Sequence, residues 1–462
     1  MGLRNILHSL AALAVVALLT GTAAAQLQPA AGVIVDADGV LRTKLYEDPT
    51  GALSRERLQA AKGSLSPEVA VASKLRKVSL TRLEKAIEKA LAEGRQPTDE
   101  MKFLAGLTRV KYVFYYPETK DIVIAGPAEG WMIDLSGRPV GINSGRSIAE
   151  LQDLIVALRA YSPTAESSSE EGDAQTVIGC SIDPTPEGLQ QMQAFLTQLG
   201  GHATPDDTQY IVDGLRTALG LQKVRVMGIS PKTHFAQVLV EADYRMKLIG
   251  IGLEQPPIKM ASYVDRAKPR DVSRNALQRW YFTPDYQCVK VSESGDAMEL
   301  VGDGVKLIGA DEMVTGDGQR VSAGRVDRAS EAFVTGFTRS YPQLADRVPV
   351  YAQLRNLVDM TIAAAYLREH DLFGQAGWTM STFGDESKLP VETCNAPVEV
   401  ETAVASIWRG NKLMTPVGGG VVIEADQALD STNVQADSKG EVSKARESQD
   451  LSKLAVGQWW WD

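Results

Sequence analysis

The chain has 462 residues, of which 44% are hydrophobic and 23% are charged, and its 48 basic and 58 acidic residues give a net charge of −10. This composition is typical of a globular protein of two or three domains rather than of a disordered chain. Its acidic balance makes nucleic acid and bare anionic lipid poor partners, because both are polyanions.

Residues 1–25 have the pattern of a secretory signal peptide. A single cation, Arg4, precedes an apolar run over residues 10–19, and an Ala-x-Ala motif ends at Ala25. A membrane anchor needs roughly 20 apolar residues, about twice this run, and no later stretch is long and apolar enough to span a membrane. We therefore predict Sec export, cleavage after Ala25 and an extracytoplasmic product, periplasmic or secreted.

Residues 26–161 predict an N-terminal α+β domain. The stretch "GVIVDADGVLRTKL" predicts a hairpin about its Asp-Ala-Asp-Gly turn, since the further acidic ligands of a calcium loop are missing. A helix follows in "LTRLEKAIEKALAEG", with a capping box of Thr81 and Glu84 and a solvated face that includes Glu84. Period-two runs over residues 109–141 predict antiparallel strands, and "SIAELQDLIVALRAY" predicts another helix.

Residues 162–175, "SPTAESSSEEGDAQ", are acidic and rich in serine, which predicts a linker. Beyond it, residues 176–425 predict a mixed α/β domain in which strands and helices first alternate. Apolar residues at helical spacing over 235–249 indicate one of these helices. Antiparallel strand signals and a helix pair, about 326–341 and 349–371, complete it. The predicted fold class is therefore α+β / α/β, a helical and antiparallel N-terminal unit followed by a mixed α/β region.

Residues 426–462 are polar and acidic and carry the sequence "VGQWWWD". Trp459, Trp460 and Trp461, named here the tryptophan segment, would expose a large apolar patch if they did not dock. In an extended chain Trp460 points away from the other two, so docking requires a groove or a sheet edge. Two alternatives stay open, since the segment either folds back onto its own chain or binds another envelope protein.

The cysteines and histidines indicate neither a structural disulfide nor a metal site. Cys180, Cys288 and Cys394 could form one disulfide in an oxidising compartment. Two of them lie in apolar strand-like runs, where a free cysteine behaves as a small hydrophobe, so we favour no structural disulfide. The histidines lie far apart and lack the CxxC or HExxH context of a metal site. The sequence therefore predicts no metal and no cofactor.

Three runs carry a family resemblance: "VEADYRMKLIGIGLE", "IVIAGPAEGWMID" and "RSYPQLADRVPVYAQLRNLVDM". They resemble exported planctomycete-type bacterial proteins of domain of unknown function family 1598, over most of residues 33–425. The resemblance implies an extracytoplasmic protein of a paralogous family. It implies no activity, because none is assigned to that family.

Few residues are candidates for function. Glu129 and Trp131 lie in the glycine-flanked stretch "AGPAEGW", where a carboxylate and an aromatic ring could hold a sugar or a peptide. The alternative is a tight turn whose Trp131 fills the core. A lone carboxylate does not make a glycosidase, which needs two, and no nucleophile, dinucleotide or P-loop motif is complete.

We therefore predict an exported, non-catalytic binding or assembly protein of the cell envelope. The alternative is an extracytoplasmic hydrolase whose site is assembled from scattered residues such as Glu129, His234 and Asp243. The two hypotheses differ in one structural expectation. In a hydrolase of this kind, those three side chains should meet in one polar cleft.

Overall fold

The computed structural model combines helices with mainly antiparallel sheets, so the chain is an α+β protein. The predicted signal peptide and all but two residues of the predicted linker lie outside the described residues. The described residues are 30–163, 176–200, 204–267, 276–314, 320–322, 327–391, 393–404, 417–447, 451 and 454–462.

Strands are numbered here in chain order over these ranges. They are Ala30–Val35 (β1), Val40–Tyr46 (β2), Ser73–Ser79 (β3), Tyr112–Tyr116 (β4), Asp121–Ala128 (β5), Trp131–Ile133 (β6), Pro139–Gly141 (β7), Val177–Asp183 (β8), Leu221–Met227 (β9), Ala276–Pro284 (β10), Val289–Val291 (β11), Ala297–Leu300 (β12), Val305–Val314 (β13), Arg320–Ser322 (β14), Glu399–Glu401 (β15), Val417–Glu424 (β16), Gln435–Ala436 (β17) and Trp460–Trp461 (β18).

The α-helices are numbered in the same way. They are Ala52–Ser64 (α1), Pro67–Ala70 (α2), Leu80–Ala92 (α3), Asp99–Lys102 (α4), Leu151–Ala160 (α5), Pro186–Leu199 (α6), Thr208–Leu219 (α7), His234–Gly250 (α8), Tyr263–Arg266 (α9), Arg328–Arg347 (α10), Pro349–Glu369 (α11), Leu372–Ala376 (α12), Ala425–Leu429 (α13) and Glu441–Glu447 (α14). Short 3-10 turns occupy Leu104–Gly106 and Pro205–Asp207.

Two large sheets organise the molecule. One has the strand order β1-β2-β15-β9-β8-β16-β10-β13-β14, the other has the order β17-β11-β12-β4-β5-β3-β18, and β6 pairs with β7. The parallel neighbours are β2 with β15, β10 with β16 and β11 with β17. Each large sheet takes strands from both sides of residues 162–175, so the predicted division of the chain there is not reflected in the sheets.

One hydrophobic core connects the two sheets, and helix α11 crosses it. Helices α8 and α10 pack on the nine-stranded sheet and α3 packs on the seven-stranded sheet, whereas α11 contacts α5, α8, α10 and α13. Residues Val350 to Leu367 of α11 are all buried, including several polar side chains. Within the described ranges, no helix combines the length and the apolar character that crossing a membrane requires.

The predicted hairpin at the Asp-Ala-Asp-Gly turn is confirmed. Strands β1 and β2 pair antiparallel across it. The Asp36 carboxylate accepts hydrogen bonds from the backbone N–H groups of Asp38 and Val40, at 3.0 and 2.9 Å. Gly39 has a φ of +80°, which glycine adopts without strain. The acidic residues of this motif therefore close a turn.

The predicted capping box of helix α3 is wrong. The helix starts after Ser79, whose hydroxyl accepts from the N–H of Arg82 at 3.2 Å. Glu84 is buried, and its carboxylate accepts from the backbone N–H groups of Thr382 and Phe383 at 2.8 and 2.7 Å. The face predicted to be solvated therefore binds a loop about 300 residues further along the chain, which local periodicity does not reveal.

The segment from residue 426 contains regular structure that the sequence did not predict. It carries most of α13, together with α14, β17 and β18, in its described part. These elements are short. Strands β17 and β18 pair with the seven-stranded sheet and α14 packs on it, whereas α13 packs on helix α11. The sparse apolar periodicity of the segment therefore did not predict the helices and strands that it forms.

None of the three cysteines, which all lie within the described residues, forms a disulfide bond. Cys180 and Cys288 are buried, and Cys394 is partly exposed. Burial raises the pKa of the Cys288 thiol to about 12 and raises that of Cys180 still further. Both buried thiols therefore stay protonated at neutral pH and behave as small apolar side chains.

Candidate functional site

Glu129 anchors a loop. Its buried carboxylate accepts hydrogen bonds from the backbone N–H groups of Asn143 and Ser144, at 3.0 and 3.2 Å, and from the hydroxyl of Ser144. A Cβ at Gly141 would lie 1.9 Å from Glu129 Oε1, so only glycine fits beside this carboxylate. The oxygens of Glu129 are thus used in holding the loop after β7.

Asp243 lies elsewhere, under the nine-stranded sheet. Lys247 Nζ lies 2.7 Å from its carboxylate and also donates to the carbonyl of Ile182 at 3.3 Å. Burial outweighs the charge of Lys247 and raises the pKa of Asp243 to about 6. Asp243 is nine residues beyond His234 on helix α8, a rise of about 13 Å. The two side chains therefore do not share a site.

His234 lies in the first turn of α8, against two carboxylates from the start of α5. Its Nδ1 is 3.0 Å from both oxygens of Asp153, and its Nε2 is 3.7 Å from Glu150 Oε1. Burial alone would lower the pKa of His234, but the charges of Asp153 and Glu150 outweigh it and raise that pKa to about 10. At neutral pH the ring is an imidazolium, which cannot act as a general base.

Glu150, Asp153 and His234 are also close enough to hold one metal ion. A ligand atom from each lies within 4.8 Å of the other two. No motif in the sequence points to this group, because its residues lack motif spacing and come together from two separate helix starts. An ion would have to displace the proton of the imidazolium, since a metal binds only neutral histidine.

Trp131 lines an open groove of about 870 Å³ between α1, α4 and β6. Its ring is mostly buried and meets the edge of Phe103, with the centroids 5.6 Å apart. Arg57 of α1 reaches across the groove and donates to the carbonyls of Ile133 and Asp134, at 3.2 and 2.5 Å. Trp131 therefore fills a small core on one side and forms part of the groove wall on the other.

The remaining groove residues were not predicted from the sequence. Apolar contacts come from Leu65 and Phe103, and Asp99 and Glu100 bring two carboxylates. These two acids stand in the first turn of α4, after the capping residue Thr98, and so look like ordinary helix-start residues. Glu129 is not among the described residues that line the groove, and its carboxylate is bound to residues 143 and 144 instead.

The tryptophan segment lies on the chain's own seven-stranded sheet. Strand β18 pairs antiparallel with β3, with Trp460 opposite Val78 and Trp461 opposite Lys77. Trp460 packs against the main core and against the small cluster around Trp131, whereas Trp461 packs on the opposite face of the sheet. Trp459 precedes the strand and enters the main core. Docking at a sheet edge, one of the two predicted modes, is therefore what the fold contains.

Arg76 binds the tryptophan segment and the adjoining Asp462. Its guanidinium is fully buried and donates to both carboxylate oxygens of Asp462, at 2.8 and 2.9 Å. It also lies 4.6 Å from the ring centroid of Trp460 and donates to the carbonyl of Ala105 at 2.8 Å. A bidentate arginine–carboxylate pair with an aromatic ring against it is a strong, well-oriented contact.

Comparison with known proteins identifies a family for part of the chain. Residues 180–263, which run from β8 to the start of α9, match a family described as "Protein of unknown function (DUF1598)". The resemblance to domain of unknown function family 1598 is confirmed there, and its wider extent over residues 33–425 stays a prediction. No curated protein and no solved structure matches the chain significantly.

Proposed function

We propose that this chain, with its family 1598 segment at residues 180–263, is an exported, non-catalytic binding protein of the cell envelope whose ligand enters the groove beside Trp131. The groove carries this proposal. Its volume of about 870 Å³ falls within the range of about 300–1,000 Å³ that small-ligand sites occupy. Aromatic and aliphatic walls with charges of both signs at the rim suit a sugar or a short peptide.

Export rests on the signal pattern of residues 1–25. Protein recovered from the extracytoplasmic fraction should begin at Gln26, as read by N-terminal sequencing. Intact Met1 in the membrane pellet would contradict both the cleavage and the localisation.

A non-catalytic role is supported by the separate surroundings of Glu129, His234 and Asp243. Their hydrogen-bond and ionic partners within the described chain are different residues in each case. The alternative, a hydrolase, is best represented by His234 with its two carboxylates. However, the described partners of His234 are Glu150, Asp153 and Gln353, none of which has a nucleophilic hydroxyl or thiol.

The tryptophan segment is the weaker candidate for partner binding. Trp459 and Trp461 are buried, and the backbone of β18 is paired with β3. An envelope partner could bind the tryptophan segment only after displacing β18 from its pairing with β3. We therefore place the ligand in the groove.

The test uses exposed charges at the groove. The full mature protein is screened by thermal shift against peptidoglycan stem peptides and oligosaccharides, and calorimetry then gives the affinity of each hit. We expect Arg57→Ala or Asp99→Asn to weaken binding about tenfold, the loss of one charge-assisted hydrogen bond. Arg55→Ala is the matched control, because Arg55 lies two residues away on the same exposed helix and faces elsewhere.

Two outcomes would decide against the proposal. Affinity that neither groove variant alters would remove the groove as the site. Cleavage of a bound compound would be the second outcome, detected by mass spectrometry after incubation with the protein. Products that disappear when His234 is replaced would favour the hydrolase.

A further inference from the structure

Helix α11 contains a buried arginine that has no partner among the described residues. Arg355 is 8% exposed, and its fully buried Nε makes no hydrogen bond. The other two arginines buried to this extent in the described chain are both paired, Arg76 with Asp462 and Arg245 with Glu254. Within the described part of the chain, Arg355 alone of the three has no ion pair or hydrogen bond.

Such an arrangement is costly to the fold. A guanidinium carries five N–H donors and stays charged at every physiological pH. A buried charge is normally paired, because burial removes water that would otherwise solvate it. A chain that keeps an unpaired arginine at this depth therefore sacrifices stability, as binding and catalytic sites commonly do.

Asp359, the carboxylate that acts on Arg355, is paired with another arginine. Arg109 donates to both oxygens of Asp359, at 2.7 and 3.2 Å, and Arg146 donates to Asp346 at 2.7 Å. Burial and the charge of Arg109 lower the pKa of Arg355, and the nearby Asp359 and Tyr341 oppose this only in part. Of these two arginines, Arg109 therefore has a carboxylate partner, whereas Arg355 has none within the described chain.

A glycine turn borders this junction. Gly304 has a φ of +75°, and a Cβ there would lie 3.3 Å from Arg109 Nη2 and 3.6 Å from Arg355 Cγ. Arg109 also donates to the carbonyl of Gly302 at 2.8 Å. The stretch "VGDGVK", which lacks the ending of a P-loop, therefore lies against the Asp359 carboxylate, 3.2 Å from the same Cβ position, as well as against Arg109 and the aliphatic part of Arg355. The exposed carboxylate of Asp303 is the acidic group of this turn and faces Arg109.

We propose that Arg355 is the anchor of an oxyanion-binding site, formed where α11, the loop that carries Arg146 and the turn at Gly302–Gly304 meet, and that it takes a carboxylate or a phosphate group. The planar guanidinium can hold two oxygens of either group side by side. Arg146 is partly exposed, and its charge acts on Arg355, so it is a second cation close to this site. This site does not depend on the groove beside Trp131.

The test compares the mature protein with Arg355→Gln. Inorganic phosphate and acetate are titrated separately at constant ionic strength, with chloride as the reference salt, and the midpoint of thermal unfolding is recorded. We expect one of the two anions to raise the midpoint of the wild type by about 2–4 °C near saturation and to leave the variant unchanged. The anion that acts identifies the class of ligand.

The control is Arg339→Gln, which removes an exposed arginine without a described partner from helix α10 and should respond like the wild type. Without added anion, Arg355→Gln should be at least as stable as the wild type, because it removes an unpaired buried charge. Arg355→Lys keeps the charge but loses the planar fork, so its anion affinity should fall about tenfold with the fold intact.

The opposite pattern would overturn the proposal. If Arg355→Gln unfolds at lower temperature than the wild type and neither anion stabilises the wild type, Arg355 is structural. If an anion stabilises Arg355→Gln and the wild type equally, the effect is not located at Arg355.

Discussion

Lys77 is a cation enclosed by its own sheet. Its side chain is buried beside Trp461, its Nζ lies 5.3 Å from the ring centroid of Phe114, and it donates to the carbonyl of Arg446 at 3.2 Å. Burial, together with the charge of Arg446, lowers the pKa of Lys77 to about 8. The folded protein therefore holds this proton less tightly than the unfolded chain does.

This difference predicts an alkaline rise in stability. The unfolded chain keeps the proton until about pH 10.5, whereas the folded protein releases it near pH 8, so unfolding takes up a proton between those values and stability increases across them. Lys77→Met should be more stable at pH 7 by about 2–4 kcal/mol and should lack the rise. Urea unfolding from pH 7 to pH 10 measures both effects.

The control for this experiment is Lys74→Met, which changes an exposed lysine of the same strand and should follow the wild type at every pH. Parallel stability profiles for the wild type and Lys77→Met would show that Lys77 is not the source of the pH dependence.

The contact between Gly141 and the Glu129 carboxylate can be tested by a single substitution. Because a Cβ at residue 141 would meet the Glu129 carboxylate at 1.9 Å, Gly141→Ala should displace that carboxylate from the loop N–H groups and destabilise the protein by about 1–3 kcal/mol. Gly63→Ala serves as control, since nothing lies within 4 Å of its added Cβ. Equal stability of the two variants in urea unfolding would mean that Glu129 does not anchor the loop.

Residue identities indicated some of the candidate site but not its contacts. Trp131 could be selected from its glycine-flanked stretch, and Arg355 could be seen as a charge within an apolar helix. Neither the groove around Trp131 nor the absence of a carboxylate for Arg355 is visible in the sequence, because both depend on residues far away in the chain. The burial of Glu84 could not be predicted for the same reason, since its carboxylate accepts from the N–H groups of residues 382 and 383, far away in the chain.

Elements with strong local signals were predicted well. Helix α8 and the first hairpin follow from apolar spacing and turn residues. Strand β18 has two residues and therefore no periodicity, and it exists only because β3 offers an unpaired edge. An edge strand of this kind is stabilised by its partner rather than by its own composition.

Removal of residues 459–462 tests the role of this strand. The deletion takes the carboxylate from the buried Arg76 and exposes the apolar surface under Trp459. We expect a loss of stability of about 3–5 kcal/mol, the range for breaking a buried ion pair, measured by urea unfolding of the monomer. Val456→Ala, at an exposed site in the same segment, should change nothing measurable.

Asp462→Asn separates the ion pair from the aromatic contacts and should cost less than the deletion, because the Asp462 side chain is 41% exposed. Unchanged stability of the deletion variant would show that the segment does not close the sheet in solution.

At the scale of the whole molecule, the two sheets unite parts of the chain that the sequence placed in separate units. Strands β1 and β2 belong to the nine-stranded sheet, whereas β11, β12, β17 and β18 extend the sheet of β3 to β5. Composition reveals a serine-rich acidic run but not which strands pair across it. Strand pairing between distant segments leaves no local pattern, so the two-unit division could not be tested from the sequence.

This sharing of strands predicts how a cut chain behaves. A specific protease site inserted within residues 164–175 should be cleaved without separation of the two fragments, since each contributes strands to both sheets. Native gel filtration should give one peak at the size of the intact protein, and denaturing electrophoresis should show two bands. Two separate native peaks would instead support independent N-terminal and C-terminal units.

The ion pair between Arg76 and Asp462 sets an order of events during synthesis. The two residues are 386 positions apart, so at roughly 5–20 residues per second a ribosome needs about 20–80 s to make the second after the first. Until then the edge of β3 is open, and Trp460 is missing from the cluster behind Trp131. Because a translocation channel passes unfolded chains, this delay would suit the export proposed for this chain, and the groove would gain its full support only once synthesis is complete.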